Sequence, residues 1–314
     1  MKATLIIVNH NGRDLLEKAV PAALEAAADA GGHPVMVVDD GSTDGSVEYL
    51  QEKFPGVRAL ALPKGGFGVA CNTAAAEAET EAAVLLNNDV VVRRDFLEPL
   101  LEGLGRPDVF AVGCKFLNPN GSLTHALGNR TSGRWRRGLL YLHHETEPHR
   151  LEETCPQLYA NGGAMAFWRD KWMALGGFDR LYHPFYWEDV DVGYRAWARG
   201  WQVLYEPASV VFHEQGTTMG RVHRPAHIEL MSAKNGVLFT WKNLLDPELF
   251  GRTMAAQARW AADDVLIGGL PPRARALWAA FRQLGEAAAR RAEERKERVR
   301  PDAEILELSG EGAR

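Results

Sequence analysis

Short, continuous apolar runs that end in polar residues recur in the first third of the chain. They cover residues 5–8, 35–38 and 83–86, and each runs directly into Asn or Asp residues. Runs of this length are typical of strands buried on both faces of a parallel sheet. The segments 14–30 and 68–78 that lie between them are rich in Ala and have the character of helices. This alternation of strand and helix predicts an α/β domain.

The pattern changes after residue 118. Residues 118–156 are rich in Gly, Arg and His and show weak periodicity, so we expect loops that cover or frame a site. No carboxylate or Cys stands at metal-ligand spacing from His143, His144 and His149. These three histidines are therefore expected to lie in solvent.

Regular patterns resume at residue 159. The patterns predict a helix over 188–199 and strands over 164–167, 203–205 and 210–212. From Pro225 onward the chain has a helical pattern, which Pro271-Pro272 breaks once. The mixed run of Arg and Glu over 286–300 predicts a solvated helix or a frayed tail, with a membrane-surface or partner-binding helix as the alternative.

Composition excludes several classes of protein. The chain has 314 residues, 46% of them hydrophobic and 25% charged, which is typical of globular proteins. A net charge of −5 argues against nucleic acid as a partner, because phosphate binding needs a basic face. Three widely spaced cysteines indicate no disulfide framework. No signal peptide or membrane-spanning run is visible, so we expect a soluble cytoplasmic protein.

Polar residues with candidate chemistry follow the predicted strands. Asp39 and Asp40 suit contacts to a base or a ribose, and equally suit a capped turn. Asn87 and Asp89 offer oxygen ligands of the kind that Mg²⁺ and Mn²⁺ prefer, although a simple turn explains them as well. Ligands of open α/β sheets bind beyond the carboxyl ends of the strands. We therefore expect these residues to converge on one crevice with Asn9.

Two later clusters add to this set. Residues 187–191 carry three acids where a helix is predicted to start, a position at which the helix macrodipole stabilises negative charge. An ionised carboxylate in a cleft can act as a general base, and helix capping is the alternative. His213 follows the predicted strand 210–212, and a neutral ring nitrogen there can complete a metal site.

Together and in this order, the clusters resemble those of the family 2 glycosyltransferases, which have the GT-A fold, and the rhamnosyltransferases among them. The resemblance covers about residues 3–245. It is carried by residues 6–12, 37–46, 85–89, 176–179, 187–191, 211–213 and 234–235. It implies a GT-A domain over residues 1–245, with a mixed, Rossmann-like sheet flanked by helices. Residues 246–314 are then a helical C-terminal extension with a charged tail.

The resemblance also implies a role for individual residues. The nucleotide sugar is held by Val8, Asn9, Asp39, Asp40, Lys64, Gly66, Asn72 and Asn88. The metal is held by Asp89, His213 and Asn87, where Asn87 replaces the first acid of the DXD motif. Asp189 is the general base beside Glu188, and Gly162, Gly163 and Trp187 frame the acceptor side. Lys64 replaces the usual Asn, so it either reaches a phosphate or is a surface lysine.

The implied reaction is a single inverting displacement. Asp189 takes the proton of an acceptor hydroxyl while its oxygen attacks the anomeric carbon, and Mn²⁺ or Mg²⁺ neutralises the leaving diphosphate. By resemblance the donor is a dTDP- or UDP-sugar, and the acceptor is a cell-surface glycan or a lipid-linked precursor. Peripheral contact with the inner face of the membrane and homo-oligomer formation are left open.

Two other functions compete with this one. A nucleotidyltransferase would carry a Gly-rich, basic phosphate loop near the first strand, whereas residues 9–13 hold one Arg. A non-catalytic relative that only binds nucleotide sugars would be expected to lose the base, whereas Glu188 and Asp189 are present. Both alternatives are therefore disfavoured, and turnover of a nucleotide sugar separates them from a transferase.

Overall fold

The computed structural model describes residues 1–124, 129–136, 139–213, 224–266 and 272–311. The strands are β1 (Ala3–Asn9), β2 (Val35–Asp40), β3 (Arg58–Leu62), β4 (Ala82–Asn87), β5 (Val90–Val92), β6 (Val109–Leu117), β7 (Thr131–Arg136), β8 (Leu139–His144), β9 (Cys155–Pro156), β10 (Ala164–Trp168) and β11 (Gln202–His213). The helices are α1 (Arg13–Asp29), α2 (Ser46–Lys53), α3 (Phe67–Glu77), α4 (Leu97–Leu104), α5 (Arg169–Leu175), α6 (Glu188–Ala198), α7 (Pro225–Asn243), α8 (Pro247–Leu266), α9 (Pro272–Phe281), α10 (Leu284–Glu297) and α11 (Asp302–Leu306).

A nine-stranded mixed sheet forms the centre of the fold. Its strand order is β3-β2-β1-β4-β10-β6-β11-β5, with β9 paired to β11. Strands β1 to β4 are mutually parallel, and β10 lies antiparallel between β4 and β6. Because β6 is parallel to β11, the carboxyl ends of β1, β2, β4 and β11 all point to one edge of the sheet. The predicted mixed α/β sheet is confirmed.

Strand β1 shows why its apolar run is continuous. Ile6 and Val8 face a core that includes the alanines of α3, whereas Leu5 and Ile7 face a second core that includes α1. All seven residues of the strand are buried. A strand with helices on both faces needs apolar side chains at successive positions, so the period of two that marks a half-exposed strand is absent.

The prediction of loops over 118–156 is wrong for the antiparallel hairpin β7–β8. Two inward positions of β7 are occupied by Thr131 and Gly133, which interrupt the alternating apolar pattern, although Trp135, Leu140 and Leu142 of the hairpin pack against the core. Thr131 donates its hydroxyl to the Tyr159 carbonyl at 2.6 Å, and a Cβ on Gly133 would lie 2.8 Å from a Leu158 methyl carbon. His144, which was expected in solvent, lies on a cavity wall instead.

Two further predictions are modified by the structure. The strands expected over 203–205 and 210–212 belong to the single strand β11, whose register shifts between Glu206 and Val210 around Pro207. The charged run over 286–300 forms most of α10. This helix is anchored to the protein, since Arg199 donates to Glu294 at 2.7 Å.

Candidate active site

A cavity of about 1340 Å³ opens at the carboxyl edge of the sheet. Its floor is formed by the ends of β1, β4 and β11, and one wall by the start of α6. The hairpin β7–β8 and helix α7 supply the other walls. Ligand sites of α/β folds are expected at this edge, where the strands end and the connecting loops diverge.

Six of the residues expected to bind the nucleotide sugar line this cavity: Val8, Asn9, Asp40, Lys64, Gly66 and Asn88. Asp40 accepts hydrogen bonds from the backbone N–H groups of Gly65, at 2.7 Å, and Gly66, at 3.1 Å. The Lys64 ammonium lies 3.0 Å from the same carboxylate. Lys64 therefore lines the cavity as an ion-pair partner of Asp40, and its contact with a phosphate stays a prediction.

Asp39 and Asn72 lie outside the lining. Asp39 accepts from the Ser42 backbone and from the Asn9 side chain, each at 2.8 Å, so both of its oxygens hold the loops after β1 and β2. The Asn72 amide pairs with both backbone groups of Phe178, at 2.8 and 2.9 Å. In this structure, both side chains therefore stabilise segments next to the cavity and do not face the cavity themselves.

The acid and the histidine expected to bind metal are brought together by the pairing of β5 with β11. His213 is in register with Val90, directly after Asp89. The His213 Nε2 and Asp89 Oδ1 atoms are 3.3 Å apart, and both side chains are 7% exposed. The Nδ1 atom of His213 is buried and forms no hydrogen bond within the described residues. Asn87 lines the cavity beside this pair.

These residues fit a divalent cation as part of its ligand set. Adjacent ligands of an octahedral ion with bonds of about 2.1 Å are about 3 Å apart, close to the observed separation of the two donors. Across the described ranges, no three His, Cys, Asp or Glu side chains come close enough to hold an ion by themselves. Water and a diphosphate would have to complete the coordination.

The Glu188-Asp189 pair at the N-terminus of α6 lines the same cavity. Asp189 accepts from the Val190 N–H at 2.8 Å and from the Gly162 N–H at 3.3 Å. Burial raises the pKa of Asp189 above its usual value, although these backbone donors offset part of the rise.

Glu188 is in a different environment. Its Oε2 atom is buried and forms no hydrogen bond within the described residues. Burial, followed by the adjacent charge of Asp189, raises the pKa of Glu188 to about 8. Of the two carboxyl groups, Glu188 keeps a proton near neutral pH and Asp189 carries the charge, because the backbone of Gly162 and Val190 donates to Asp189, whereas the buried Oε2 of Glu188 has no donor within the described residues.

The expected acceptor-side residues Gly162, Gly163 and Trp187 all line the cavity. A Cβ on Gly162 would lie 3.6 Å from that of Asp189, so the glycine leaves space beside the carboxylate. Sequence reasoning missed the cavity walls formed by Leu140 and Leu142 of the hairpin and by α7. The lining residues that share one face of α7 are polar or small, so no apolar pattern marks this face; they are Glu229, Ser232, Ala233, Gly236 and Thr240.

Comparison with known proteins places this geometry in a family. The sequence model of glycosyl transferase family 2 matches residues 4–171, more than half of the chain. An N-acetylglucosaminyl-diphospho-decaprenol L-rhamnosyltransferase of Mycobacterium tuberculosis is 29% identical in an alignment of 223 positions that covers 62% of this chain and 71% of that protein. The O-antigen biosynthesis protein RfbC of Myxococcus xanthus is 28% identical over 69% of this chain and 18% of its own length.

Two solved structures share the fold. GalNAc-T7 with UDP, GalNAc and Mn²⁺ superposes with a TM-score of 0.61 at 19% identity, covering 83% of this chain and 51% of GalNAc-T7. A mannosyltransferase of Pyrobaculum calidifontis with GDP-Man and Mn²⁺ superposes with a TM-score of 0.56 at 20% identity, covering 98% of this chain and 85% of the mannosyltransferase. The predicted GT-A fold is thereby confirmed, and the chain belongs to glycosyl transferase family 2.

Proposed function

We propose that the chain is an inverting glycosyltransferase in which Asp189 is the general base. The observation that carries this proposal is that Asp189 shares one cavity with the Asp89–His213 pair. Asp189 would accept the proton of an acceptor hydroxyl as that oxygen bonds to the anomeric carbon and the bond to the nucleoside diphosphate breaks. The hydrogen bond from Gly162 orients the carboxylate, and the protonated neighbour Glu188 avoids a second negative charge.

A divalent cation, Mn²⁺ or Mg²⁺, is proposed to bind Asp89, His213 and Asn87. When bound, it would neutralise negative charge on the leaving diphosphate. The donor set supports this assignment, because carboxylate, imidazole and amide groups all suit Mn²⁺. Both related structures were solved with nucleotide ligands and Mn²⁺.

The donor is proposed to be a dTDP- or UDP-sugar, and the acceptor a hydroxyl of a glycan or of a lipid-linked precursor in cell-wall or surface-polysaccharide synthesis. The acceptor in the name of the mycobacterial relative is a diphospho-decaprenol, which has a polar head and an apolar chain. The hairpin and α7 contribute Leu140, Leu142, Ile228 and Val237 to the cavity lining, and the strand ends contribute polar residues that include Asn9, Asp40 and Asp89. A lining with both apolar and polar side chains suits an acceptor of the same two-part chemistry.

A peripheral contact with an anionic membrane surface is also proposed. Trp278, Phe281 and Leu284 are 64%, 65% and 40% exposed, and we call them the aromatic face. The exposed residues Arg275 and Arg282 flank this face, and the Arg282 guanidinium lies 5.2 Å from the centre of the Trp278 ring. Exposed aromatic and basic side chains together suit an anionic lipid interface. None of the helices in the described ranges has both the length and the apolar character to span a bilayer.

A donor panel tests the reaction. UDP-, GDP- and dTDP-sugars are incubated with the protein and Mn²⁺, and release of nucleoside diphosphate is measured with and without EDTA. We expect slow hydrolysis of one donor class, and we expect this hydrolysis to be lost with EDTA and in Asp189→Asn.

Pyrophosphate release from a nucleoside triphosphate would indicate a nucleotidyltransferase instead. Binding without turnover on any acceptor would indicate a non-catalytic protein. Once an acceptor is found, the anomeric configuration of the product tests inversion.

A further inference from the structure

The turn formed by residues 182–187 leads directly into α6 and the Glu188-Asp189 pair. Tyr186 has a φ of 69° and Trp187 a φ of 77°, so two consecutive residues with bulky side chains adopt the left-handed region. Among the described residues other than glycine, Asn11 alone shares a positive φ. Backbone in this region persists only where its surroundings hold it, and it concentrates at functional sites.

The surroundings that hold this turn come from the middle of α7. Asn235 is completely buried, and its Nδ2 atom donates to the carbonyl oxygens of Tyr182 at 2.8 Å, Phe185 at 2.9 Å and Tyr186 at 3.0 Å. An amide nitrogen has two protons, so one of them is shared between two of these carbonyls. One side chain therefore binds the turn at three points.

The two residues that flank Asn235 contact the same turn. Lys234 donates to the His183 carbonyl at 3.2 Å. A Cβ on Gly236 would lie 2.8 Å from the Trp187 indole, so the absence of a side chain there lets the ring lie against α7. The Trp187 ring also packs against Phe239, with ring centroids 5.1 Å apart.

We propose that Asn235 is a positioning residue for catalysis, holding the turn in the conformation that directs the Asp189 carboxylate into the cavity. One residue separates Trp187 from Asp189, so relaxation of φ at Trp187 would rotate the start of α6. The 3.3 Å hydrogen bond from Gly162 to Asp189 would then be lost. The inference rests on the proposed role of Asp189 as the base.

Two variants disturb the turn in different ways. Asn235→Ala removes the three hydrogen bonds, and Gly236→Ala pushes the Trp187 ring away while leaving Asn235 in place. With the donor identified in the panel above and Mn²⁺, we expect each to lower kcat by at least about tenfold, because small misplacements of a catalytic group are costly. The dissociation constant of the nucleotide should stay within about twofold, because the residues assigned to it lie at the ends of β1, β2 and β4 and in the loop 64–66.

Matched controls separate positioning from general damage. Gln157→Ala removes a similarly buried amide that donates to the Leu204 carbonyl at 2.8 Å, and within the described residues its side chain forms no hydrogen bond to the turn or to α6. Gly251→Ala adds a methyl group to a helical glycine with open space around it. Both should keep kcat within about twofold of the unaltered protein.

The outcomes are distinct. If Asn235→Ala and Gly236→Ala keep kcat near the unaltered value, or lose kcat and nucleotide affinity together, the positioning role is overturned. Gly236→Ala decides the question if Asn235→Ala does not fold, because alanine favours the helix. Asp189→Asn is measured in parallel. If it retains turnover, the proposed base is wrong, whereas its inactivity beside active turn variants overturns the positioning role alone.

Discussion

At the scale of single residues, the two adjacent carboxyl groups of α6 differ in what surrounds them. Asp189 accepts from two backbone N–H groups, whereas the buried Oε2 of Glu188 accepts from none within the described residues. Hydrogen bonds to a carboxylate favour its charged form, and burial without them favours the protonated form. The pair therefore holds one charge, on the residue assigned as the base.

Isosteric amides test this division of roles. We expect Asp189→Asn to lower kcat by a factor on the order of 10² to 10⁴, the usual contribution of a general base, with nucleotide affinity kept. Glu188→Gln should retain most activity at neutral pH, because an amide resembles the protonated acid. Steady-state kinetics and nucleotide titration measure both variants. Equal losses in the two variants would contradict the assignment.

The same pair predicts how stability depends on pH. The pKa of Glu188 is about 8 in the folded chain against 4.5 for an ordinary glutamate, so the folded state holds one more proton between these values. The free energy of unfolding should then fall as pH rises through this window. Glu188→Gln removes the effect, so its Tm relative to the unaltered protein should be higher at pH 8 than at pH 5. Glu286→Gln, at an exposed site, is the control. A difference independent of pH would refute this linkage.

At the scale of elements, α6 is clamped to α7 by buried charges. Lys242 is 1% exposed and lies 2.7 Å from Asp179 and 2.8 Å from Asp191. Arg195 donates to Asp191 at 2.7 Å, and Asn243 does so at the same distance. Although burial raises the pKa of Asp191, Arg195 and Lys242 bring it well below its usual range. Helix α7, which the sequence places at the domain end, thus anchors the helix that carries the base.

Removing the lysine should weaken this clamp. Lys242→Met removes the ammonium group that pairs with the buried carboxylates of Asp179 and Asp191. Loss of one partner from a comparable buried ion pair lowers the free energy of unfolding by about 3–5 kcal/mol. The free energy of unfolding from urea titration measures the loss. Lys53→Met, at a side chain that is 56% exposed, should change it by less than about 0.5 kcal/mol. A change in Lys242→Met as small as that of the control would show that the clamp contributes little.

At the scale of the whole molecule, charge is unevenly distributed. Residues 271–300 hold nine Lys and Arg residues against four Asp and Glu, although the chain as a whole carries −5. The aromatic face lies in this basic segment. A two-fold contact between copies through this face would bring like charges together, whereas an anionic lipid surface would attract them. The charge distribution therefore favours a lipid surface over self-association at this face.

Vesicle binding tests this surface. We expect the protein to co-sediment with phosphatidylglycerol-containing vesicles and much less with phosphatidylcholine alone, with binding that weakens as salt is raised. The double variant Trp278→Ser, Phe281→Ser should lower binding on the order of tenfold. Met173→Ser, at a side chain that is 51% exposed elsewhere on the surface, should not. Absence of binding to both vesicles, or equal binding by all three proteins, would exclude the proposed contact.

The local sequence was sufficient for the first half of the fold. Strands buried on both faces need continuous apolar runs, and β1, β2 and β4 have them, so the apolar pattern predicts the positions of these strands to within two residues at each end. Because parallel strands end at one edge, the convergence of Asn9, Asp40 and Asp89 could also be predicted. The family followed from the order of the motifs, and the comparisons confirm it.

Other features depended on contacts between residues far apart in the chain. The approach of Asp89 to His213 requires the register of β5 against β11, and the support of Trp187 requires a glycine on α7. Thr131 and Gly133 occupy two inward positions of β7, so this strand lacks the alternating apolar pattern that predicts a strand from sequence. The sequence by itself determined the buried parallel strands of the first part of the chain, the family and the residue types of the site. Only the tertiary structure decided which side chains face the cavity, because that depends on packing across elements rather than on local pattern.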